Sequence, residues 1–303
     1  MVELLLKRYL WLINTLNSNG EMTFDEIAER WEQSSFNDNG SVITKRTFYN
    51  HCQAVARHFG IEIECRRGRG LNLYSIANPE TIERNTLTKW VLDSFSLGEL
   101  LLGNAAIADK ILLEYIPSGR EWLEPILRAL QQNHKLNIEY ENFVGLKFKG
   151  SISPLCVKLF KRRWYVLALV YDNRYRIFSL DRVTSLDIAG EKFEYPNDFS
   201  PADYFRDVYG IIAGVERKVQ NIHIRAYAEL PGYLRSLPLH PTQHELETND
   251  GHTDFSLRLV PTFDFIQELL LHRDQLEVIA PQSLRDEIAS IISKMSDRYS
   301  CGR

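Results

Sequence analysis

No stretch of this chain approaches the roughly 18 uninterrupted apolar residues of a membrane-spanning helix. Met1-Val2-Glu3 opens without the basic leader and apolar run of a secretory signal. The expectation is a cytoplasmic protein with no membrane partner. Cysteine is scarce: the four residues, Cys52, Cys65, Cys156 and Cys301, are scattered and form no C-x-x-C. Such spacing indicates neither a disulfide framework nor a zinc site, and free, mostly buried thiols are expected. Catalytic motifs are also missing, with no G-x-S-x-G, no phosphate-cradling P-loop and no paired acidic motif of a nuclease. His240 and His244 lie four apart, but Pro241 between them prevents a shared helical face. The chain is therefore read as a binding protein and not an enzyme, without cofactor or metal.

Excess positive charge is absent from the chain as a whole, which carries 36 basic and 40 acidic residues for a net charge of −4. Its distribution is uneven. Residues 145–182 hold nine basic residues against two acidic, and residues 41–76 hold six against two. Residues 79–144 carry six basic and ten acidic groups, and residues 183–303 carry twelve and nineteen. Two basic islands thus sit in an acidic protein, whose 303 residues suffice for two or three domains.

The first island comprises the third of three helical segments and the hairpin after it. Leu5, Tyr9, Leu12 and Leu16 recur at helical spacing before Asn17–Gly20 stops the run. Thr23-Phe24-Asp25-Glu26 is a capping box for a helix reaching about Gln33. Thr44 caps a third helix, Lys45 to Phe59, with Phe48, Cys52, Val55 and Phe59 on its apolar face. After Gly60, Ile61–Glu64 and Leu71–Tyr74 flank Arg66-Arg67-Gly68-Arg69-Gly70, a hairpin with a basic, glycine-rich tip. Three helices and a basic hairpin in this order resemble the winged helix-turn-helix, in which the third helix enters the major groove and the wing reaches the backbone or minor groove. Lys45, Arg46, Thr47, Tyr49 and Asn50 are placed to meet base edges or phosphates, while Arg66, Arg67 and Arg69 are suited to phosphate contacts. A helical domain with a solvated charged face and an Arg-rich turn is the plainer reading of the same residues.

The second island centres on Arg163-Trp164-Tyr165-Val166 and closes at Phe178-Ser179-Leu180-Asp181-Arg182. It predicts strands at Cys156–Phe160, Trp164–Val170 and Tyr175–Leu180, with a turn at Asp172-Asn173, preceded by an alternating strand at Lys135–Tyr140. Cations interleaved with aromatic rings on a small sheet suit a phosphorylated, base-bearing ligand, since cations pair with phosphate and rings stack on a base. A solvated basic face is the alternative. The order P-x(9)-W-Y-V followed by R-x-F-x-L-D-R-V, at Pro154, Trp164–Val166 and Arg176–Val183, resembles the WYL domain of bacterial regulators, with Val166 in place of the naming Leu. The resemblance implies an SH3-like or Sm-like β-barrel that senses nucleotides or short nucleic acid. It implies Tyr140, Lys158, Tyr165, Arg174, Arg176 and Arg182 as ligand residues; Trp164 and Phe178 are expected in the core, because large rings at inward strand positions pack, and Asp181 beside Arg182 is expected to orient it.

Residues 79–134 read as a helical linker, whose Trp90, Phe95 and leucine cluster exceed what a short linker buries on itself and so fit a dimer seam. From Val219 the order strand, helix, strand, strand, helix, strand, with a last helix over Ser283–Ser296, suggests a ferredoxin-like domain. It resembles the WCX-type extension of WYL proteins, which helps hold a dimer. The full expectation is an α+β multidomain protein: a winged helix-turn-helix over 1–78, the linker over 79–134, a WYL-like barrel over 135–190, a connector over 191–218 and a ferredoxin-like domain over 219–303. Its expected partners are double-stranded DNA at a palindromic operator, a nucleotide or oligonucleotide effector, and a second copy of itself. Its expected role is a ligand-responsive transcription regulator, preferably a repressor, with phage defence as one example of what a neighbouring operon would indicate. A single-stranded nucleic-acid-binding accessory module is the competing reading.

Overall fold

The computed structural model describes residues 2–37, 40–68, 70–103, 110, 112, 118–171, 174–213, 218–249 and 251–300. It divides into two compact units, Met1–Glu114 and Tyr115–Arg303. The architecture is mixed, with helices and three antiparallel sheets.

The first unit runs α1 (Val2–Asn19), β1 (Met22–Thr23), α2 (Phe24–Glu32), α3 (Lys45–Phe59), β2 (Ile63–Gly68), β3 (Leu71–Ile76), α4 (Glu80–Arg84) and α5 (Thr86–Gly103). Local chemistry sets the helix ends. The Thr23 hydroxyl accepts from the Glu26 amide while the Glu26 carboxylate accepts from the Thr23 amide, satisfying orphan donors at both ends of the capping box. Thr44 caps α3 by accepting from the Thr47 amide, and Gly60 ends it at φ 66°, a left-handed turn that suits glycine. The strands form a three-stranded sheet in the order β1-β3-β2. Trp11, Leu12, Leu16, Ile27, Trp31, Phe48 and Tyr74 fill one part of the core, and Leu10, Ile13, Val55, Ile61, Ile82 and Leu92 another. Ile82 and Leu92 carry α4 and α5, the first half of the expected linker, into that core. Phe95 stacks on Phe36 with ring centroids 4.4 Å apart, whereas Leu97 stays exposed. On α3 the buried positions are Phe48, His51 and Val55, while Cys52 is half-buried. His51 thus joins the face read as wholly apolar.

In the second unit a 3-10 turn at Arg120–Trp122 leads into α6 (Leu123–Gln132), whose Ile126 and Ala129 pack into the sheet that follows. That sheet comprises β4 (His134–Glu141), β5 (Lys147–Phe160), β6 (Arg163–Leu169), β7 (Tyr175–Ser179) and β8 (Val183–Lys192), in the order β7-β6-β5-β4-β8. Among the described residues no ladder joins β7 to β8. The sheet is therefore open, not the closed barrel expected: a 3-10 turn at Leu180–Arg182 leads β8 back against β4 and leaves β7 on the far edge. β5 spans both halves, pairing Ile152 with Leu136 and Val157 with Val166. Val166, Ala168, Phe178 and Leu180 are buried in the core, with Trp164 packed against it.

A connector follows with α7 (Pro201–Phe205), and then β9 (Gln220–Tyr227), α8 (Leu230–Ser236), β10 (His244–Asn249), β11 (His252–Leu259), α9 (Phe263–Leu271), β12 (Leu276–Ala280) and α10 (Gln282–Ser300). These strands form a four-stranded antiparallel sheet in the order β10-β11-β9-β12. Its apolar face, including Ile222, Ile224, Phe255 and Leu257, packs on Leu230 and Leu234 of α8 and Phe265 and Leu269 of α9. On the opposite face the buried Asp254 accepts two hydrogen bonds from Arg225, at 2.7 and 2.9 Å. Among the described residues no helix is long and apolar enough to cross a membrane.

Candidate functional site

The β5-β6-β7 sheet has two faces, and pairing assigns its side chains between them. Tyr165 lies opposite Lys158 on one side and Ser179 on the other, while Leu169 lies opposite Tyr175. Because side chains alternate along a strand, Tyr165, Tyr175, Ile177 and Ser179 share the face away from the Val166–Phe178 core. The connector folds back over that face. Tyr175 stacks on Phe199 at 5.6 Å and lies 5.2 Å from Tyr204. Between sheet and connector lies an open cavity of about 310 Å³ lined by Tyr140, Tyr165, Tyr175, Ser179, Arg182 and Tyr204, with Ile177, Ile211, Ile212 and Ala213 as its apolar walls.

Arg182 is the cation at this cavity among the described lining residues. Its guanidinium lies 4.6 Å from the Phe143 ring centroid and 5.8 Å from that of Tyr140, and its buried Nε has no hydrogen-bond partner. Asp181, its neighbour, is held by Arg163 at 3.0 Å and by the Ser179 hydroxyl, and stands 3.9 Å from Arg182 Nε. The carboxylate is largely committed elsewhere, which leaves the guanidinium with donors to offer. An arginine close to two aromatic rings, in a cavity lined by tyrosines, is equipped to hold one anionic group next to a planar ring.

Three of the six expected ligand residues, Tyr140, Tyr165 and Arg182, meet at this cavity. The other three do not line it. Lys158 faces the connector, donating to the Gly210 carbonyl at 2.6 Å with its ammonium 4.0 Å from the Phe205 centroid, and burial lowers its pKa. Arg176 sits on the opposite face of β7, over Phe148 and Phe178 at 4.7 and 5.0 Å. Arg174 is exposed before β7, its carbonyl accepting from the Val170 amide at 3.0 Å. The sequence reading counted Tyr175 among the rings interleaved with the cations but not among the six ligand residues, and did not single out Ser179 on β7 or Tyr204, Ile211, Ile212 and Ala213 of the connector. The signal available was the aromatic density of Phe193–Tyr209, which the connector's polar character obscured.

In the first unit α3 presents Lys45, Arg46, Tyr49 and Asn50 to solvent. The Lys45 ammonium lies 5.7 Å from the Phe24 ring centroid. Thr47 is half-buried, its hydroxyl 2.9 Å from that of Thr44 at the cap. The Tyr49 and Tyr74 hydroxyls are 2.9 Å apart, so Tyr49 ties α3 to the hairpin. Arg66 pairs with Glu21 at 3.2 Å, Arg67 is exposed, and Arg69 lies outside the described residues. The exposed cations of α3 and of the hairpin occur together in one unit.

His240 is buried, with Nδ1 bonded to the Thr242 hydroxyl at 2.7 Å and Nε2 to the Arg206 carbonyl at 3.0 Å, so both ring nitrogens have structural partners.

Residues 121–188 match the family model of the WYL domain, and residues 218–296 match that of the WCX domain. A WYL domain and a WCX domain are found in this chain. The WYL match covers α6 and the five-stranded sheet, including the β-strand wall of the cavity, and the WCX match covers the four-stranded sheet with its helices. Among solved structures the chain is similar to proteasome accessory factor B/C (PafBC) of Arthrobacter aurescens, at 16% identity and a TM-score of 0.35, over 93% of this chain and 45% of that one. The chain thus spans less than half the length of that protein. It is also similar to a CRISPR Cas-related protein, at 12% identity and a TM-score of 0.41, over 96% of this chain and 80% of that one. No curated protein matches the chain.

Proposed function

We propose that this chain is a DNA-binding transcriptional regulator in which the WYL domain senses a nucleotide or short nucleic acid and alters operator binding. The reading rests on one observation above the rest: the WYL cavity places Arg182 among tyrosine and phenylalanine rings, a chemistry matched to a phosphate beside a base. The first unit supplies the reader. Its order α1-β1-α2-α3-β2-β3 and its sheet β1-β3-β2 support a winged helix-turn-helix over residues 1–78; in that reading the exposed Arg46 and Asn50 meet bases and the exposed Arg66 and Arg67 meet phosphate. In the WCX domain the strand order β10-β11-β9-β12 supports a ferredoxin-like fold.

The regulator acts as a homodimer on a palindromic operator, the two α3 helices reading its half-sites. Ligand favours one dimer arrangement over the other and thereby changes operator affinity, with release of repression as the preferred sign. The protein is intracellular, works by binding and carries out no chemistry.

The test is anisotropy titration of the purified chain against duplexes from upstream of its own gene, with and without short single-stranded oligonucleotides and cyclic nucleotides. Sequence-preferring duplex binding that a nucleotide probe shifts is the expected result. Arg182→Ala removes the shift and leaves duplex affinity in place, while Arg46→Ala does the reverse. Preference for single strands without duplex specificity overturns the regulator in favour of an accessory nucleic-acid-binding module.

A further inference from the structure

We infer that Asp264, the second residue of α9 in the WCX domain, is a positioning residue for the WYL cavity, so that the sensor site is built jointly by the two domains. The inference deepens the sensor reading and rests on it only for the ligand. Among the described residues the connector wall of the cavity, Tyr204 and Ile211–Ala213, makes no main-chain hydrogen bond to the WYL sheet. Its backbone is held instead from the other side. The Asp264 carboxylate oxygen Oδ2 accepts from the Ile211 amide at 2.8 Å and from the Ile212 amide at 3.1 Å. Just before these, Gly210 adopts φ 85°, and a Cβ there would collide with the Asp264 side chain. Only a glycine lets the backbone approach this carboxylate so closely.

The rest of the segment is tied to the same domain. The Val260 amide donates to the Asp207 carbonyl at 2.8 Å, and Val208 forms a parallel bridge with Val260. Arg258 pairs with Asp207 at 3.2 Å, and buried His240 lies 3.0 Å from the Arg206 carbonyl. From the WYL side, Lys158 donates to the Gly210 carbonyl at 2.6 Å. Gly210 is therefore gripped at its carbonyl by one domain and at the two following amides by the other. Ile211 and Ile212 reach the cavity from that grip. An occupant that presses on this wall pulls against Asp264, and a displaced α9 opens the wall.

The test uses the full chain and has two independent readouts. In hydrogen exchange, Asp264→Ala accelerates the Ile211 and Ile212 amides and the β7 strand across the cavity, while the β9 and β11 amides keep their protection. Asp264→Asn retains an oxygen acceptor and restores at least half of that protection. In ligand titration with a 5′-phosphorylated thymidine dinucleotide, Asp264→Ala weakens binding about tenfold, Asp264→Asn by less than threefold, and Gly210→Val as strongly as the alanine variant. Unchanged exchange at residues 211 and 212 in Asp264→Ala overturns the positioning role. So does equal loss of protection throughout the WCX sheet, which marks a general loss of stability. If the wild-type chain binds no nucleotide probe while the exchange pattern holds, the sensor reading fails and the clamp stands.

Discussion

His51 makes the stability of the first unit depend on pH in a direction that the structure fixes. It lies on the inner side of α3, 2% exposed, with Nε2 unpartnered and its ring edge-on to Tyr9 at 5.3 Å. Tyr9 in turn stacks on His58, and Arg8 of α1 is the positive charge acting on the ring. Burial first, and Arg8 second, push the His51 pKa down from 6.5 to about 4. A depressed folded-state pKa means that the unfolded chain takes up the proton first. The contribution of His51 is therefore fully present above pH 6.5 and is lost as pH falls toward 4. At about 1.4 kcal/mol per pH unit over that interval, the loss is about 3 kcal/mol at pH 4 and about 2 kcal/mol at pH 5. The assay is hydrogen exchange of the α3 amides at Phe48 and Val55, corrected for intrinsic rates, between pH 8 and pH 5. His51→Leu should remove about 2 kcal/mol of the pH-dependent fall and leave only what the carboxylates contribute. Parallel pH curves for wild type and His51→Leu would refute the assignment of a neutral, buried imidazole.

Further predictions concern other elements. Gly119, at φ 69°, has no room for a Cβ against the backbone of buried Leu180, so Gly119→Ala should cost at least about 2 kcal/mol in thermal denaturation of the full chain. Asp254, held down to about 2 first by its bonds to Arg225, loses its stabilising charge as pH falls from 3.8 through 2; Asp254→Ala should cost about 2 to 3 kcal/mol, read by exchange at β9 and β11. Tyr49→Phe breaks the link to Tyr74 and should cost about 1 kcal/mol, seen as faster exchange along β3. Replacing Arg66 and Arg67 with alanine should reduce the slope of log affinity for duplex DNA against log salt by about 2, and an unchanged slope removes the hairpin from the phosphate contacts.

Much of the local structure was legible because it depends on neighbours in the chain. The Thr23–Glu26 box, the Thr44 cap and the Gly60 stop are contacts within four residues, and each is present where the spacing placed it. The apolar and aromatic runs of Trp164–Leu169 and Tyr175–Ser179, bounded by turn formers, specified strands, and the strand and helix order of the C-terminal region followed from its apolar periodicity. Tyr140, Tyr165 and Arg182, which the WYL resemblance placed among the ligand residues, do line one cavity. Alternation does not say which face receives a ligand, however. Arg176 and Tyr175 are adjacent on β7, and only the packing of Phe178 against Tyr140 and Phe148 turns Arg176 to the core side and Tyr175 to the cavity.

The amino-acid sequence by itself determined the three N-terminal helices and their hairpin, the C-terminal strand and helix order, the caps, the two basic islands and the WYL motif, since these are encoded in short-range spacing and composition, whereas β1, β8 and the first half of β5 were not foreseen. Tertiary structure decided what each charge is used for. Lys158 holds Gly210 across 52 residues, His51 is stripped of water beside Arg8, and the connector becomes a cavity wall because Asp264 reaches back 52 and 53 residues to the Ile212 and Ile211 amides. Those outcomes depend on desolvation and on contacts between segments far apart in the chain, and no local pattern carries that information.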